Sequence, residues 1–420
     1  MRPTALFDHP DRGSILAEVH ARPVELVRSP ARVRRVAVLL SREPDALAQA
    51  AGSFAHWCTQ AGVEPAPPGS RQHSFDAGGR HVTWELHTEF VTLTWSADLI
   101  DPENWPSGIG LEALSGLGLI ACMRIDLIDQ DTISDTILSG FRLASLCHSA
   151  IDEGRAQVAT DFVVDKDSFT RFELAAGNLP PLRRAIVVRR LLEIETYRTL
   201  ALLALPLARS VTPELLASER DLAGAVTSIG EARSLDLAQA SLDALHELSV
   251  RSNALIERTN YRFAASRAYG AILRHRLDHI REVPIRPASA LTNYLGNRID
   301  PALATVDAAE KRQLALSEKI ERAIELLDTR IGLDIQSQNR GILGAIANTS
   351  SSQLRLQRTV EGLSTIAISY YFLGILSYVL TGLGEVAHFP KALAVALAAP
   401  FVVLLVYLAV RAIRKQHADH

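Results

Sequence analysis

Residues 363–384, LSTIAISYYFLGILSYVLTGLG, carry no charged side chain, and after a short break residues 392–410, ALAVALAAPFVVLLVYLAV, are equally uncharged. Roughly 20 apolar residues at about 1.5 Å rise cross a hydrocarbon core of about 30 Å as a helix. The pair predicts a transmembrane hairpin, with the rest of the chain as the body it tethers. Arg355 and Arg358 precede the first run and Arg411, Arg414 and Lys415 follow the second, while the turn near Glu385 to Lys391 holds one lysine. The excess of basic residues on the long ends places both ends in the cytoplasm and the turn on the far side.

The totals agree with this division. The chain has 420 residues, a formal net charge of -3 and a mean hydropathy of +0.10, high for a soluble protein and owed largely to the hairpin. A near-neutral charge gives no basic field for nucleic acid. Cys58, Cys122 and Cys147 show neither pairing nor metal-ligand spacing, as expected in a reducing compartment. The first residues, MRPTALFDHPDRGSI, place Asp8, His9 and Asp11 before any apolar run and do not read as a secretory signal.

Upstream, strand and helix patterns alternate. Val33 to Ser41 reads as a strand and Pro44 to Ala61 as a helix. Gly78-Gly79 reads as a hairpin turn between HSFDA and the long strand RHVTWELHTEFVTLTWS. LGLIACMRIDLID reads as another strand, Ile133 to Asp152 as a short helical stretch, and Ala156 to Asp165 with Ser168 to Ala175 as a further hairpin. Residues 1–177 are thus expected to form an α/β or α+β cytoplasmic domain. Residues 178–288 read as a helical region, with segments Pro181 to Arg209 and Pro213 to Arg281 and a hinge at VPIRPAS. Residues 289–362 read as a long helix leading to the membrane, followed by spans at 363–384 and 391–411 and a tail at 412–420.

That long helix carries an 11-residue repeat. Ile320, Ile331 and Ile342 form one series, Ile324, Ile335 and Ile346 a second, and Leu327 and Gln338 share their stripe. A period of about 3.67 residues per turn keeps a helix nearly straight against a partner. The stripe then turns polar at Thr349, Gln353, Gln357 and Ser364; in a symmetric ring, Gln353, Gln357 and Ser364 would line a water-filled path. Small residues in the spans, Gly374, Ser377, Ala392, Ala396 and Ala399, fit close helix contact in lipid, as in packing within the hairpin or in a homo-oligomer, rather than transport.

Two clusters could carry chemistry. If TWELHTEF is one strand, Glu85, His87 and Glu89 share a face at period two, a set able to bind a divalent metal or exchange protons. Glu18 and His20, with Arg22, form a second set in LAEVHARP. The alternative is that these are exposed strand and loop residues, or pairs such as Glu with Arg that lock the N-terminal arm onto the sheet. No phosphate loop, GxGxxG, GxSxG or HExxH pattern occurs, so no catalytic residue is assigned and a non-enzymatic protein is expected.

HPDRGSILAEVHARP, WELHTEF and QLRLQRTVEGLSTIAISYY together resemble a bacterial family of uncharacterised membrane-anchored proteins defined by a domain of unknown function. The resemblance runs over essentially the whole chain and implies a cytoplasmic body with a C-terminal anchor, without an activity. The architecture is also similar, more loosely, to the CorA-type magnesium transporters. Where those carry Gly-Met-Asn, this chain reads Thr381-Gly382-Leu383-Gly384, so CorA-like transport would need a different filter. Three roles follow in order of expectation: an oligomeric scaffold or tether on the bilayer, a CorA-like channel lacking the signature, and a metal-dependent enzyme using the Glu/His clusters.

Overall fold

The computed structural model describes residues 9–18, 21–231, 234–387 and 391–418. Outside them lie His20 and the turn residues 388–390. The chain folds as two compact units, residues 1–230 with 243–323, and residues 231–242 with 324–420.

In the first unit a short helix α1 (Arg12–Glu18) precedes β1 (Ala31–Leu39), the strand from which the sheet grows. Its sequence ARVRRVAVL is rich in β-branched residues and buried along nearly its whole length. It pairs antiparallel with β4 (Phe90–Ala97) on one side and β5 (Gly118–Ile128) on the other. Beyond β4 lie β3 (Arg80–Leu86) and β2 (Gln72–Ala77), joined by Gly78-Gly79, both at positive φ as a tight hairpin turn requires. Beyond β5 lie β8 (Thr170–Ala175), β7 (Ala156–Val164), β6 (Cys147–Ile151) and the two-residue β9 (Val283–Pro284). The order is β2-β3-β4-β1-β5-β8-β7-β6-β9; β5 and β8 pair parallel, their neighbours antiparallel. The fold is α+β.

Each sheet face has its own cover. On one, α2 (Ala46–Ala61) sets Phe54 against Trp84, rings stacked at 4.5 Å, and Gly62 ends the helix in the left-handed conformation. On the other, Val33, Ile125, Leu127 and Phe172 meet Val188 and Leu191 of α4 (Pro181–Leu202), Leu273 of α6 (Leu235–Ile280), and Leu291 and Leu295 of α7 (Leu291–Ala387). Between α4 and α6 runs α5 (Ala204–Glu231). A Cβ on Gly270 would lie 2.6 Å from Leu303 Cδ1, so glycine there permits the close approach of α6 and α7. Glu282 accepts the Leu291 amide at 2.8 Å and the Thr292 amide at 2.5 Å, capping the start of α7, and takes the Ser149 hydroxyl of β6 at 2.8 Å.

Four expectations change in detail. The long strand around WELHTEF is two strands, because His87 to Glu89 form a tight turn closed by the His87 amide donating to Phe90 O at 2.9 Å. Ile133 to Asp152 holds the four-residue α3 (Asp135–Leu138) and a 3-10 turn at Leu143–Ser145 before entering β6. Pro213 lies inside α5 rather than starting a helix, and the break falls at Leu203. The VPIRPAS stretch joins α6 to α7 and also supplies β9, which pairs with β6.

The second unit holds the remainder of α7 and α8 (Lys391–Ala418). The 97-residue α7 is continuous, and every residue from 332 to 360 is exposed. Among the described residues, three stretches are helical, long and apolar enough to cross a membrane: Pro181–Ile229, Leu291–Val379 and Val395–Ala412.

Candidate functional site

Strand alternation decides where the arginines of β1 go. Arg35 points with Val33 toward the α4 side; Arg32 and Arg34 point to the opposite face. On the α4 side Arg35 donates from Nε to Thr94 Oγ1 at 2.7 Å and from Nη2 to Glu85 Oε2 at 2.7 Å, and Thr92 Oγ1 donates to the same carboxylate oxygen at 3.1 Å. Burial opposes ionisation of Glu85, but Arg35, the Arg189 guanidinium and the Thr92 hydroxyl outweigh it and hold its pKa below the ordinary value.

Over this pair lies a strap, residues 21–30, which makes no ladder with the sheet. It is held through its carbonyls and one carboxylate. Arg189 Nη1 donates to Arg22 O at 2.9 Å and Arg184 Nε to Val27 O at 3.2 Å. Glu25 accepts from Gln72 at 2.9 Å and Ser74 at 2.6 Å, and Arg22 reaches from the strap to Leu86 O at 2.8 Å. Strap, sheet and α4 enclose a cavity of about 60 Å³ lined by Arg35, Glu85, Arg189, Glu25, His81 and Val188. It has room for a few water molecules.

The candidate metal residues separate across this region. Glu18 sits on α1, exposed, 3.8 Å from Arg22 and 3.4 Å from Arg71. His87 stacks on Phe90 with centroids 4.1 Å apart, and its Nε2 is buried without a hydrogen bond. Burial, joined by the positive charges of Arg22, Arg35 and Arg189, outweighs the pull of Glu85 and brings the His87 pKa to about 3. Glu89, beyond the turn, accepts both Nη groups of Arg262 at 3.0 and 2.9 Å and the Tyr261 hydroxyl at 2.9 Å, tying the turn to α6. Burial opposes ionisation of Glu89, and the Tyr269, Arg262 and Tyr261 hydrogen bonds more than offset it. Among the described residues, no three His, Cys, Asp or Glu side chains are grouped to hold a metal ion. The carboxylates of this region meet arginines, and Arg22 and Glu25 fasten the arm to the sheet.

A second charged cluster on the opposite sheet face was not anticipated. Asp126 of β5 lies 2.6 Å from Arg32, 3.4 Å from Arg124 and 3.5 Å from Arg171, while Arg34, fully buried, donates to Asn104 and to Asp101 O, both at 3.0 Å. Glu173 pairs with Arg171 at 2.9 Å, and burial keeps its pKa raised. The signal was present as period-two charges in ARVRR, CMRID and TRFE, three segments that become adjacent strands. Gln353, Gln357 and Ser364, the possible pore residues, all lie exposed on α7, with Gln357 Nε2 donating to Glu361 Oε1 at 3.1 Å.

A family model described as a protein of unknown function, DUF3422, matches residues 7–417. The chain belongs to the DUF3422 family. The match takes in the strap, both charged clusters, α7 and most of α8, so the body and the apolar C-terminal helices form one DUF3422 unit of sequence. No curated protein and no solved structure matches this DUF3422 chain, and the looser likeness to CorA-type transporters is carried by no match.

Proposed function

We propose that the chain is a membrane-anchored scaffold or tether, non-enzymatic, with residues 363–384 and 391–411 as a transmembrane hairpin and the body assembled as a homo-oligomer on the cytoplasmic face of a bacterial inner membrane. The observation that carries this reading is a contrast between apolar helices. In Pro181–Ile229 one face is core: Leu200, Ala204, Ala208, Val211 and Leu215 are fully buried, while Leu182, Leu216 and Val226 are exposed. In the C-terminal helices Ile366, Phe372, Ile375, Leu397, Phe401 and Leu405 are exposed. A helix apolar around its circumference and uncovered by protein is stable only where the solvent is lipid.

The flanking charges support the orientation, with Arg355, Arg358 and Arg411 outside the runs on one side and a single lysine, Lys391, at the turn. The buried ion pairs support a structural role for the clusters, since their groups bind the strap, the turn and α6 rather than one another's protons.

Alkaline washing of membranes from cells expressing the full chain tests the anchor. Retention in the membrane pellet, with a cysteine placed at Glu385 labelled by an impermeant reagent from the periplasmic side of intact cells, is the expected result. Release of the chain by the wash, or labelling only after lysis, overturns the anchor or its orientation respectively.

A further inference from the structure

We infer that residues 331–357 of α7 form a seam along which parallel copies of this chain pack, each laying Ile331, Ile335, Ile342 and Ile346 against the same residues of its neighbour. The inference rests on the anchor reading, because hairpins in one bilayer bring copies together parallel and at equal height. One helical stripe meets two environments. Its first residues, Ile320 and Leu327, are buried; one repeat on, Ile335 is 43% exposed, and two repeats on, Ile342 and Ile346 are 57% and 55% exposed. The apolar pattern continues after the cover ends, and a second copy supplies cover of the same chemistry.

Charge placement agrees. Between Ile331 and Gln357 the charged residues are Asp334, Arg340 and Arg355. At about 98° per residue, the rotation of an 11-residue repeat, Arg340 and Arg355 fall opposite the stripe and Asp334 at its margin. The same period keeps two parallel stripes facing each other over the roughly 40 Å of 27 residues with little supercoiling. Leu343, Leu354, Leu356 and Val360, all more than half exposed, flank the stripe. With the exposed Ile335, Ile342 and Ile346 they make seven side chains offering roughly 100 Å² each, about 700 Å² against the roughly 800 Å² per partner of a stable interface. Gln338, Thr349, Gln353 and Gln357 occupy stripe positions, where each meets its counterpart at the same height and hydrogen-bonds to it, fixing register as a buried polar position does in a coiled coil.

Single cysteines at Ile335, Ile342 and Ile346, and at the opposite-face positions Leu333 and Arg340, test the seam in the full chain in native membranes under mild oxidation. The native Cys58, Cys122 and Cys147 are buried. The expected result is a disulfide dimer at least tenfold more abundant at the stripe positions than at Leu333 or Arg340. Equal crosslinking from both faces, no dimer from the stripe, or stripe crosslinks only to a protein of another mass overturns the seam. The alkaline wash on the same membranes separates the two failures: a retained chain that does not crosslink defeats the seam alone, and a released chain defeats the anchor.

Discussion

His87 shows what burial does to a single side chain. Its imidazole is neutral in the fold, with a pKa near 3 against an ordinary value of about 6.5. As pH falls below about 6.5 the unfolded chain takes up this proton and the folded chain does not, so stability is full above that value and is lost down to about 3. The loss has a limiting slope of about 1.4 kcal/mol per pH unit for one such group. Glu85 and Glu89, whose pKa values are depressed, contribute stability that is lost only below the ordinary carboxylate range, whereas Glu173, raised by burial, acts in the opposite sense above that range, so comparison with a His87 variant isolates histidine. His148, also depressed by burial, adds to it. The melting temperature of the detergent-solubilised chain falls between pH 7 and pH 5, and the fall is smaller in His87→Gln. An identical fall in the variant would remove His87 as its source. Sequence placed His87 beside two carboxylates, and it does lie near Glu85. What it could not show is that burial dominates at His87 and that three arginines, two of them from the strap and α4, add to it against the pull of Glu85.

At the scale of elements, the turn after β3 and the helix α6 are joined through Glu89 and Arg262, both buried and bidentate. Removing one member strands the other, which costs about 3–5 kcal/mol for a buried pair. Half-exposed pairs between α5 and α6, such as Arg251 with Asp221, are worth about 0–1 kcal/mol each, so the Glu89 contact dominates. Glu89→Ala and Arg262→Ala each lower unfolding stability by about 3 kcal/mol or more, and the double variant loses far less than their sum; additive losses in denaturant titration would show that the two groups do not act together. The turn itself was hidden because His87-Thr88-Glu89 lacks Gly, Pro and Asn, while Gly78-Gly79 announced the neighbouring hairpin. Pro213 misled in the other direction. Thr212 Oγ1 bonds to Ala208 O at 2.7 Å and the helix continues through the proline, a tertiary outcome that local signals do not encode. Most strands of the sheet were legible from period-two patterns, but β6, inside a stretch read as helical, and the two-residue β9, inside the hinge, were not. Their order, which brings ARVRR, CMRID and TRFE side by side, was not.

For the whole molecule, the 11-residue stripe was the most legible feature, and the structure sharpens it by showing where its cover stops. From 332 to 360 the helix stands exposed with Gly332, Gly341 and Gly344 in open space. Each glycine weakens a helix by about 1 kcal/mol relative to alanine, and a lone helix in water is held only marginally by its own hydrogen bonds. Covering a half-exposed aliphatic side chain returns roughly 1 kcal/mol, and the stripe and its flanks carry seven that are uncovered, more than the glycines remove. In the proposed seam, packing of α7 against a second copy stabilises the segment that joins the body to the apolar helices. The mass of the full chain extracted from membranes in mild detergent tests this most directly. The account predicts a closed complex of two or more copies that falls to a single copy when Ile342 and Ile346 are both changed to Asp, with the body still folded. A single copy for the unaltered chain, extracted without denaturation, would contradict it.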